Sequence, residues 1–576
     1  MAEELLGYAL RFAMVPRTPN HPLSSASLVR PLQGATIALQ GLFGLVLFAS
    51  AGCRTPEEYR IEADEEVYRI LLERRAAFTA DPSGFTVDAP PDSLRERLLR
   101  GEVPEDALDL ARCIEIAAEN SRAYQDRRES LYLEALDLTF ERWVFTVQEN
   151  GSLAGLFDVG GDLDSSVDLS ATAGLSRLLG TGAQVVSDIG LSLFKAVGSG
   201  GSGTLTSDLS LSITQPLLAG YGESIVLEPL TQAERDVIYE VRTYERFRRT
   251  FAVDVANRYF RILQQGDTLA NEEANFERLK ELRERNEALA EAGQLSEIQA
   301  DQARQDELRA SSRVISARQQ LESLLDDFKF FLGLPIEAPL ELDRSELDEL
   351  RERGLEPVAV TEGEVLAFGV AQRLDFLTVV DRVADAERRV EVAADALQAD
   401  LDVTLAASST SDDGQPFDHD LGGVDWDLDV IAGLPLERLP ERNLYRAALL
   451  GLEAARRAAE EFGDGIRADL RDSLRNLASL RESYLIQQNS VALAKQRVES
   501  SSLSLEAGRA ETRDLLEAQG DLVEAQNAET AALVDYYLSS LSLYRDMESL
   551  RVDGDGLSVA PVPTAGAAGV EPQPGD

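Results

Sequence analysis

The chain has 576 residues, of which 56 are basic and 102 acidic, giving a formal net charge of −46 at pH 7. This charge excludes nucleic acid as a partner, because phosphate binding requires a basic surface. The two cysteines and two histidines cannot supply a disulfide framework, a zinc cluster or a histidine-based hydrolase site. We therefore expect no enzyme activity, no cofactor and no bound metal.

The first 52 residues predict an export signal. Arginines precede an apolar run from Ala35 to Ala51, and Gly52 and Cys53 follow it. The end of the run resembles a bacterial lipobox, with Ser50 where leucine is usual. We expect residues 1–52 to be a lipoprotein-type signal peptide and Cys53 to be the lipid-anchored first mature residue. The alternative is an ordinary signal peptide followed by an incidental cysteine.

The next segments differ in composition and periodicity. Residues 53–102 are polar and contain prolines, and they predict an irregular N-terminal arm. A helix is predicted over about 103–140, and a Gly/Ser-rich region with alternating runs continues to about 222. Two long helices follow over about 223–292 and 296–332, because apolar residues recur at the spacing of a coiled-coil stripe.

The second half of the chain repeats this order after a proline-bearing connector. The predicted segments are the connector 334–363, a helix over 364–399, strand-like runs between 400 and 435, helices over 441–507 and 511–550, and a Pro/Gly/Ala-rich disordered tail over 552–576.

Two glycines mark the places where the long helices turn. Gly293 and Gly508 interrupt the two helix pairs, and glycine accepts the left-handed conformation that ends a helix. They lie 215 residues apart, which predicts two internal repeats, 103–333 and 364–551. A helix of about 70 residues would be about 105 Å long. We therefore predict a long helical hairpin bundle with a strand region at the opposite end.

The strand-like runs alternate apolar and polar residues. Between Val424 and Val430, the residues Asp425, Asp427 and Asp429 project to one side and the apolar residues to the other. A barrel wall between lipid and water has this pattern, and so does a half-buried soluble strand. Export without a later membrane helix favours the barrel, with the aspartates facing its lumen. Four strands per chain cannot close a useful barrel, so an oligomer is expected.

These features together resemble the TolC-like outer-membrane efflux protein family, over about 103–551. The matching segments are Gln215–Leu218 with Gly220, Phe331–Pro335, Ala292–Ser296 with Gln299–Ala303, and Ala507–Gly508 with Thr512–Gln519. The resemblance implies a mainly α-helical chain with a β-barrel portion, assembled as a homotrimer. Twelve transmembrane strands would form a barrel in the outer membrane, and twelve helices would continue as a hairpin barrel across the periplasm.

The resemblance also implies partners. The hairpin tips would contact a periplasmic adaptor that links the duct to an inner-membrane transporter, and outer-membrane lipid would surround the strands. The implied tip contacts are Gly293, Leu295, Ser296, Gly508, Leu515 and Leu516. The expected function is a passive exit duct in a tripartite efflux system. The alternative is a soluble periplasmic coiled-coil adaptor or scaffold, although such proteins usually carry one hairpin.

Two acidic residues after the second turn match family positions that narrow the periplasmic entrance. Asp514 and Glu517 are spaced i, i+3 and share one helix face. In a trimer, six carboxylates would surround the aperture, repel anions and attract cations, and change its opening with protonation. The first repeat has Gln299 and Gln302 there, so the halves differ where inner and outer hairpins should differ. The alternative is an ordinary exposed acidic face.

Three remaining features are interpreted as structural. The acidic segment Asp412–Asp420 lacks the ligand order of a calcium loop and predicts an extracellular loop. The glycines between 198 and 203 predict a flexible loop, because no Lys-Ser/Thr pair follows them to bind phosphate. Cys113 lies in a helical pattern and is interpreted as a small core residue.

Overall fold

The computed structural model describes residues 54–78, 84–88, 90–102, 107–159, 165–197, 203–356, 361–416, 418–420, 422–553 and 556–560. The predicted signal peptide and Cys53 lie outside the described residues, as do the glycines of 198–202 and the tail beyond 560. The chain divides into two units, Met1–Glu65 and Glu66–Asp576. The described part of the first unit is helical, and its Arg60 pairs with Glu57 and Asp64 about one turn away.

Eleven helices and strands are described in the first half of the chain. They are α1 Pro56–Arg75, α2 Leu94–Leu99, α3 Leu110–Asn120, α4 Arg122–Val144, β1 Gln148–Val159, β2 Ser165–Leu178, β3 Gln184–Val197, β4 Thr204–Pro216, α5 Glu223–Val226, α6 Glu228–Glu291 and α7 Glu297–Phe331. The predicted helical hairpin over 223–332 is confirmed, because α6 and α7 are its two arms.

In the second half, two strands precede the pair of long helices and two short strands follow it. The elements of this half are α8 Ser345–Arg353, α9 Glu362–Gln372, α10 Leu374–Asp395, β5 Asp400–Thr410, β6 Asp425–Gly433, α11 Leu439–Glu506, α12 Thr512–Asp546, β7 Leu550–Asp553 and β8 Gly556–Val559. At about 1.5 Å per residue, α11 alone is about 100 Å long.

None of the described helices carries an apolar stretch long enough to cross a membrane.

The N-terminal arm differs from the irregular segment predicted over 53–102, because it contains α1 and α2. Helix α1 is mostly polar, but its apolar residues Val67, Ile70 and Leu71 are buried in the core. Arg75 ends the helix and pairs with Glu245 of α6 at 3.1 Å, and both side chains are almost fully buried. A buried ion pair of this kind fixes the end of α1 on α6.

The chain does not become disordered at 552 either. Strands β7 and β8 form a short antiparallel hairpin. The Arg249 side chain of α6 donates a hydrogen bond to the carbonyl of Leu550 at 3.0 Å. Leu550 is buried in the same core as the long helices. This packing orders the start of the predicted tail, which its Pro/Gly/Ala-rich composition alone did not indicate.

The main core forms where α3, α4, α6 and α12 meet. The apolar stripe of α6 supplies Tyr259 and Phe260, both fully buried, and Phe260 packs edge-to-face on Tyr537 with ring centroids 4.9 Å apart. Cys113 is fully buried in this core, as predicted, and burial raises the pKa of its thiol.

The strands form one antiparallel sheet of six, in the order β1-β2-β3-β4-β5-β6. The prediction of four strands per chain is therefore wrong: among the described residues, the first half contributes four strands to this sheet and the second half two. The Gly/Ser-rich region up to residue 222 is long enough for four strands of 12 to 14 residues. The runs that alternate at Val167–Ala171, Leu209–Ile213 and Leu401–Leu405 lie in β2, β4 and β5, respectively.

Candidate functional site

The two faces of the six-stranded sheet differ sharply in chemistry. Side chains alternate between the faces along each strand, and the pairing register assigns every residue to one face. The apolar face includes Leu153, Phe157, Leu169, Leu175, Ile189, Leu193, Leu209, Leu211, Ile213, Val403, Leu405, Trp426, Leu428 and Val430. Many of these side chains are strongly exposed, and Trp426 and Leu428 are each 67% exposed.

The opposite face is mainly polar and acidic, although Leu156, Phe194 and Ile431 also lie on it. It carries the predicted lumen residues Asp425, Asp427 and Asp429, which are opposite Ser408, Ala406 and Thr404 of β5. The alternation predicted for this segment is confirmed, since Trp426, Leu428 and Val430 lie on the other face.

Further aspartates on this polar face were missed by the sequence analysis. They are Asp158, Asp168, Asp188, Asp208, Asp400 and Asp402. The alternating runs around Asp168 and Asp402 carried a signal, but the pairing between strands was needed to bring the six aspartates to one face. Along the described strands β1 to β6 the only basic residues, Arg177 and Lys195, lie on the apolar face near opposite ends of the sheet. The polar face is therefore uniformly negative.

Hydrogen bonds across the polar face keep its side chains in rows. Thr410 donates to the carboxylate of Asp208 at 2.8 Å, and the hydroxyls of Ser152 and Thr172 lie 2.7 Å apart. The carboxylate of Asp188 lies over Gly174, where a Cβ atom would be only 1.9 Å from it. These cross-strand contacts are the interactions that stabilise a sheet with a water-exposed face.

The far ends of the long helices form the two predicted hairpin turns. Gly293 and Gly508 have φ angles of +73° and +69°, so both adopt the left-handed conformation that was predicted. Ser296 caps α7 by accepting a hydrogen bond from the backbone N–H of Gln299.

The implied tip contacts are not equally accessible. Gly293, Ser296 and Gly508 are exposed, and Leu295 and Leu516 are partly buried. Leu515 is only 4% exposed, because it points into the hairpin core together with Ala518. The contact of Leu515 with an adaptor stays a prediction, and in this hairpin its side chain is buried.

The implied aperture residues lie on the first turns of α12. Asp514 accepts a hydrogen bond from the backbone N–H of Glu511 at 3.2 Å, and the Glu511 side chain accepts one from the backbone of Asp514. This reciprocal capping box fixes the Asp514 carboxylate at the helix start. Glu517 lies one turn further along on the same face, and both side chains are exposed. The predicted shared face is thus present.

A counter-charge beside these carboxylates was not predicted. Arg497 of α11 donates a hydrogen bond to Glu517 at 3.0 Å and also pairs with Asp521. The bond to Glu517 and the charge of Asp521 raise the pKa of the Arg497 guanidinium. Residues equally distant from Gly508 face each other across an antiparallel hairpin. Arg497 is 11 positions before that turn, and Glu517 and Asp521 are 9 and 13 after it.

The two hairpins are joined to each other near their tips. The side-chain amide of Asn286 on α6 donates a hydrogen bond to the hydroxyl of Thr512 on α12 at 3.2 Å. Both side chains are almost fully buried. A buried hydrogen bond of this kind stabilises one arrangement of the hairpins, because separating the partners would leave both polar groups unsatisfied.

Ion pairs also join the helices below the sheet. Asp385 of α10 accepts hydrogen bonds from Tyr239 at 2.7 Å and from Arg235 at 3.2 Å, and both donors lie on α6. Burial and then the bond to Asp385 raise the pKa of Tyr239 to about 12. The Tyr239 hydroxyl therefore remains a donor at physiological pH. Its hydrogen bond to Asp385 joins α6 to α10.

The acidic loop between β5 and β6 is attached to the end of the sheet. The Asp413 carboxylate accepts a hydrogen bond from the backbone N–H of Leu205 at 3.0 Å, and His419 lies 2.9 Å from the hydroxyl of Ser207. Among the described residues, no group of three or more His, Cys, Asp or Glu side chains is placed to hold a metal ion.

The architecture matches that of solved outer-membrane channels. The Campylobacter jejuni CmeC outer membrane channel is 15% identical with a TM-score of 0.56, over 76% of this chain and 85% of that chain. The open state of the Neisseria gonorrhoeae MtrE outer membrane channel is 15% identical with a TM-score of 0.55, over 76% and 88%. VceC, an outer membrane protein from Vibrio cholerae, is 13% identical with a TM-score of 0.54, over 76% and 95%.

Comparison with protein-family models and with curated proteins gives no match. At these identities the structural likeness concerns the fold alone. The chain has the fold of the TolC-like outer-membrane channels, as its turn motifs predicted.

Proposed function

We propose that this chain is the subunit of a homotrimeric channel in the outer membrane, which extends into the periplasm as a helical tunnel. It acts as a passive exit duct of a tripartite efflux system and catalyses no reaction. The observation that carries this proposal is the sheet with one apolar and one acidic face, attached to two long helical hairpins. Structurally similar proteins, CmeC and MtrE, are outer membrane channels.

The sheet has the dimensions and chemistry that a membrane wall requires. Its strands have 9 to 14 residues, and about 9–11 tilted residues span the apolar part of a bilayer. A contiguous exposed apolar face on a soluble protein is costly and marks a membrane or protein interface. For that reason a membrane channel fits better than a soluble periplasmic adaptor or scaffold.

The carboxylates at the tip of the second hairpin would act as an ion filter. Asp514 and Glu517 from three subunits would surround the periplasmic aperture and attract cations. Arg497 sets the strength of this field, because it neutralises part of the charge of Glu517 and Asp521. The exposed tip residues Gly293, Ser296 and Gly508 would meet the periplasmic adaptor, and the adaptor would connect the duct to an inner-membrane transporter that supplies the energy.

Membrane residence and assembly test this function directly. We expect the full-length protein to fractionate with outer membranes, to require detergent for solubility, and to have the mass of a trimer in detergent by light scattering. A protein that remains monodisperse in the aqueous fraction without detergent would contradict the proposal.

The predicted lipid anchor is tested separately. We expect a labelled fatty acid to be incorporated into the wild-type protein and not into the Cys53→Ser variant. Equal labelling of both proteins would exclude Cys53 as the anchor and would leave the channel function unaffected.

A further inference from the structure

The outer strands of the sheet, β1 and β6, have no hydrogen-bonded neighbour on their outer sides among the described residues. We propose that β6 of one subunit pairs with β1 of the next, and that three copies close a barrel of eighteen strands. This inference rests on the proposed trimeric channel. It departs from the twelve strands that the family resemblance implies, because the part of the chain that the structure describes supplies six strands to the sheet.

The directions of the two edge strands permit this closure. All five neighbouring pairs in the sheet are antiparallel, so β1 and β6 run in opposite directions. Placing β6 of one copy beside β1 of the next therefore continues the alternation without a break. Each copy adds an even number of strands, as bacterial transmembrane barrels require.

The two edge strands are also suited to pairing in their composition. β1 has the sequence QENGSLAGLFDV and β6 has DWDLDVIAG. Neither contains proline or lysine, the residues that proteins commonly use to block unwanted strand pairing at a sheet edge. β1 presents Leu153 and Phe157 on the apolar face, and β6 presents Trp426 and Leu428 on the same face. Joining the edges thus continues the apolar wall.

Strands β2 and β3 are held in the sheet by contacts of the turn that joins them. The turn between β2 and β3 lies at the helical end and is anchored to the base of β4. The hydroxyl of Thr181 donates to the side chain of Gln215 at 3.2 Å, and the Gln215 amide donates to the carbonyl of Thr181 at 3.1 Å. Gly182 lies so close to Gly220 that a Cβ atom would be 2.6 Å from its carbonyl oxygen. A turn seated in this way positions β2 and β3 in the wall rather than inside the lumen.

The eighteen strands would change the shape of the duct. Barrel diameter grows roughly linearly with strand number, so the barrel would be about 1.5 times as wide as one of twelve strands. Barrels of about 16–18 strands leave an open aqueous channel. The membrane part would then impose little restriction, and selection would occur at the periplasmic tips.

Cysteine cross-linking in the intact protein tests the β1–β6 contact. Within one chain, five strand spacings of about 4.8 Å separate β1 from β6, which is far beyond the reach of a disulfide. Asp427→Cys in β6 is combined in turn with Asn150→Cys, Ser152→Cys or Ala154→Cys in β1, because all four positions lie on the polar face. The matched control joins Asp427→Cys to Ser170→Cys in β2, which has strands on both sides.

We expect at least one β1–β6 combination to give covalent dimers and trimers on oxidation, and the β2 control and the parent protein to give none. If none of the three combinations cross-links although light scattering shows a trimer, the eighteen-stranded closure is wrong and the channel proposal stands. If the protein is monomeric in detergent, the proposed function itself fails. A strand count from a cryo-electron microscopy map provides the second readout, with eighteen expected and twelve contradicting the inference.

Discussion

The carboxylates of Asp514 and Glu517 are exposed, share one face of α12 and lie beside the turn at Gly508. We expect the double variant Asp514→Asn/Glu517→Gln to lose most of its preference for cations, because the negative field at the aperture is removed. The reversal potential in planar bilayers under a salt gradient measures this preference.

The matched control for that variant lies on the other hairpin. Glu297→Gln with Asp301→Asn removes two exposed carboxylates at a similar distance from Gly293. We expect this control to keep the wild-type reversal potential, because the resemblance places the first hairpin outside the aperture. Equal shifts in the two double variants would show that net charge alone, and not a ring, sets the selectivity.

Substitution of Arg497 should change the cation preference in the opposite direction. Its guanidinium pairs with both Glu517 and Asp521. We expect Arg497→Gln to increase the cation preference, because two carboxylates then remain uncompensated at each subunit. The same bilayer measurement checks this at low salt, where surface charges are least screened. A lower cation preference in Arg497→Gln would mean that the guanidinium does not face the ion path.

Glu548 carries a different kind of charge, one that stabilises the fold. Its carboxylate is 3% exposed and accepts a hydrogen bond from Arg246 at 2.6 Å as well as pairing with Arg249. We expect Glu548→Gln to destabilise the protein by about 3 kcal/mol, because Arg249 loses its carboxylate partner, while Arg246 retains its pairs with Asp375 and Asp546. The denaturant midpoint of the detergent-solubilised protein measures the loss.

The comparison for Glu548 is an exposed pair on α11. Asp472 and Arg475 lie 2.9 Å apart with about three quarters of each side chain exposed to solvent. We expect Asp472→Asn to cost less than about 1 kcal/mol, as is usual for surface ion pairs. A similar loss in both variants would refute the structural role of Glu548.

At the scale of the elements, the turn between β2 and β3 decides how the extra strands are held. Gly182 has a φ of +88° and faces the carbonyl of Gly220. We expect Gly182→Ala to lower the temperature at which the trimer dissociates, because the new methyl group meets the backbone in a strained conformation. Heat-dependent migration on gels measures that temperature.

Gly180 supplies the control for this turn, only two residues away. A Cβ atom at Gly180 would meet Leu227 at 3.5 Å, which is an ordinary van der Waals contact. We expect Gly180→Ala to be close to neutral. Equal destabilisation by both substitutions would indicate that the turn tolerates no side chain at all, and not that Gly182 is specially placed.

The periodicity of the sequence predicted the long helices well, for physical reasons. Heptad-like spacing along α6 and α11 defines a stripe over more than 60 residues, so the signal accumulates. Gly293 and Gly508 could be predicted because a helix hairpin needs a left-handed residue at its turn. The sheet was underestimated, because Gly/Ser-rich alternation between 148 and 216 is weak in each strand and does not mark where one strand ends and the next begins.

The site could be predicted only in part for a related reason. Asp514 and Glu517 lie on one helix, so their shared face follows from spacing alone. Arg497 and Asn286 act from other helices, and their positions depend on how those helices pack. The nine aspartates of the polar face likewise depend on strand register, which a single strand does not contain.

At the scale of the whole molecule, the fold, the two-faced sheet and the acidic tips all support the proposed water-filled duct. The most direct measurement is the current through the purified wild-type protein in a planar bilayer under a salt gradient. We expect discrete, long-lived conductance steps and a reversal potential on the cation-selective side. An absence of steps from trimeric, detergent-solubilised protein, or a preference for anions, would contradict the proposed duct.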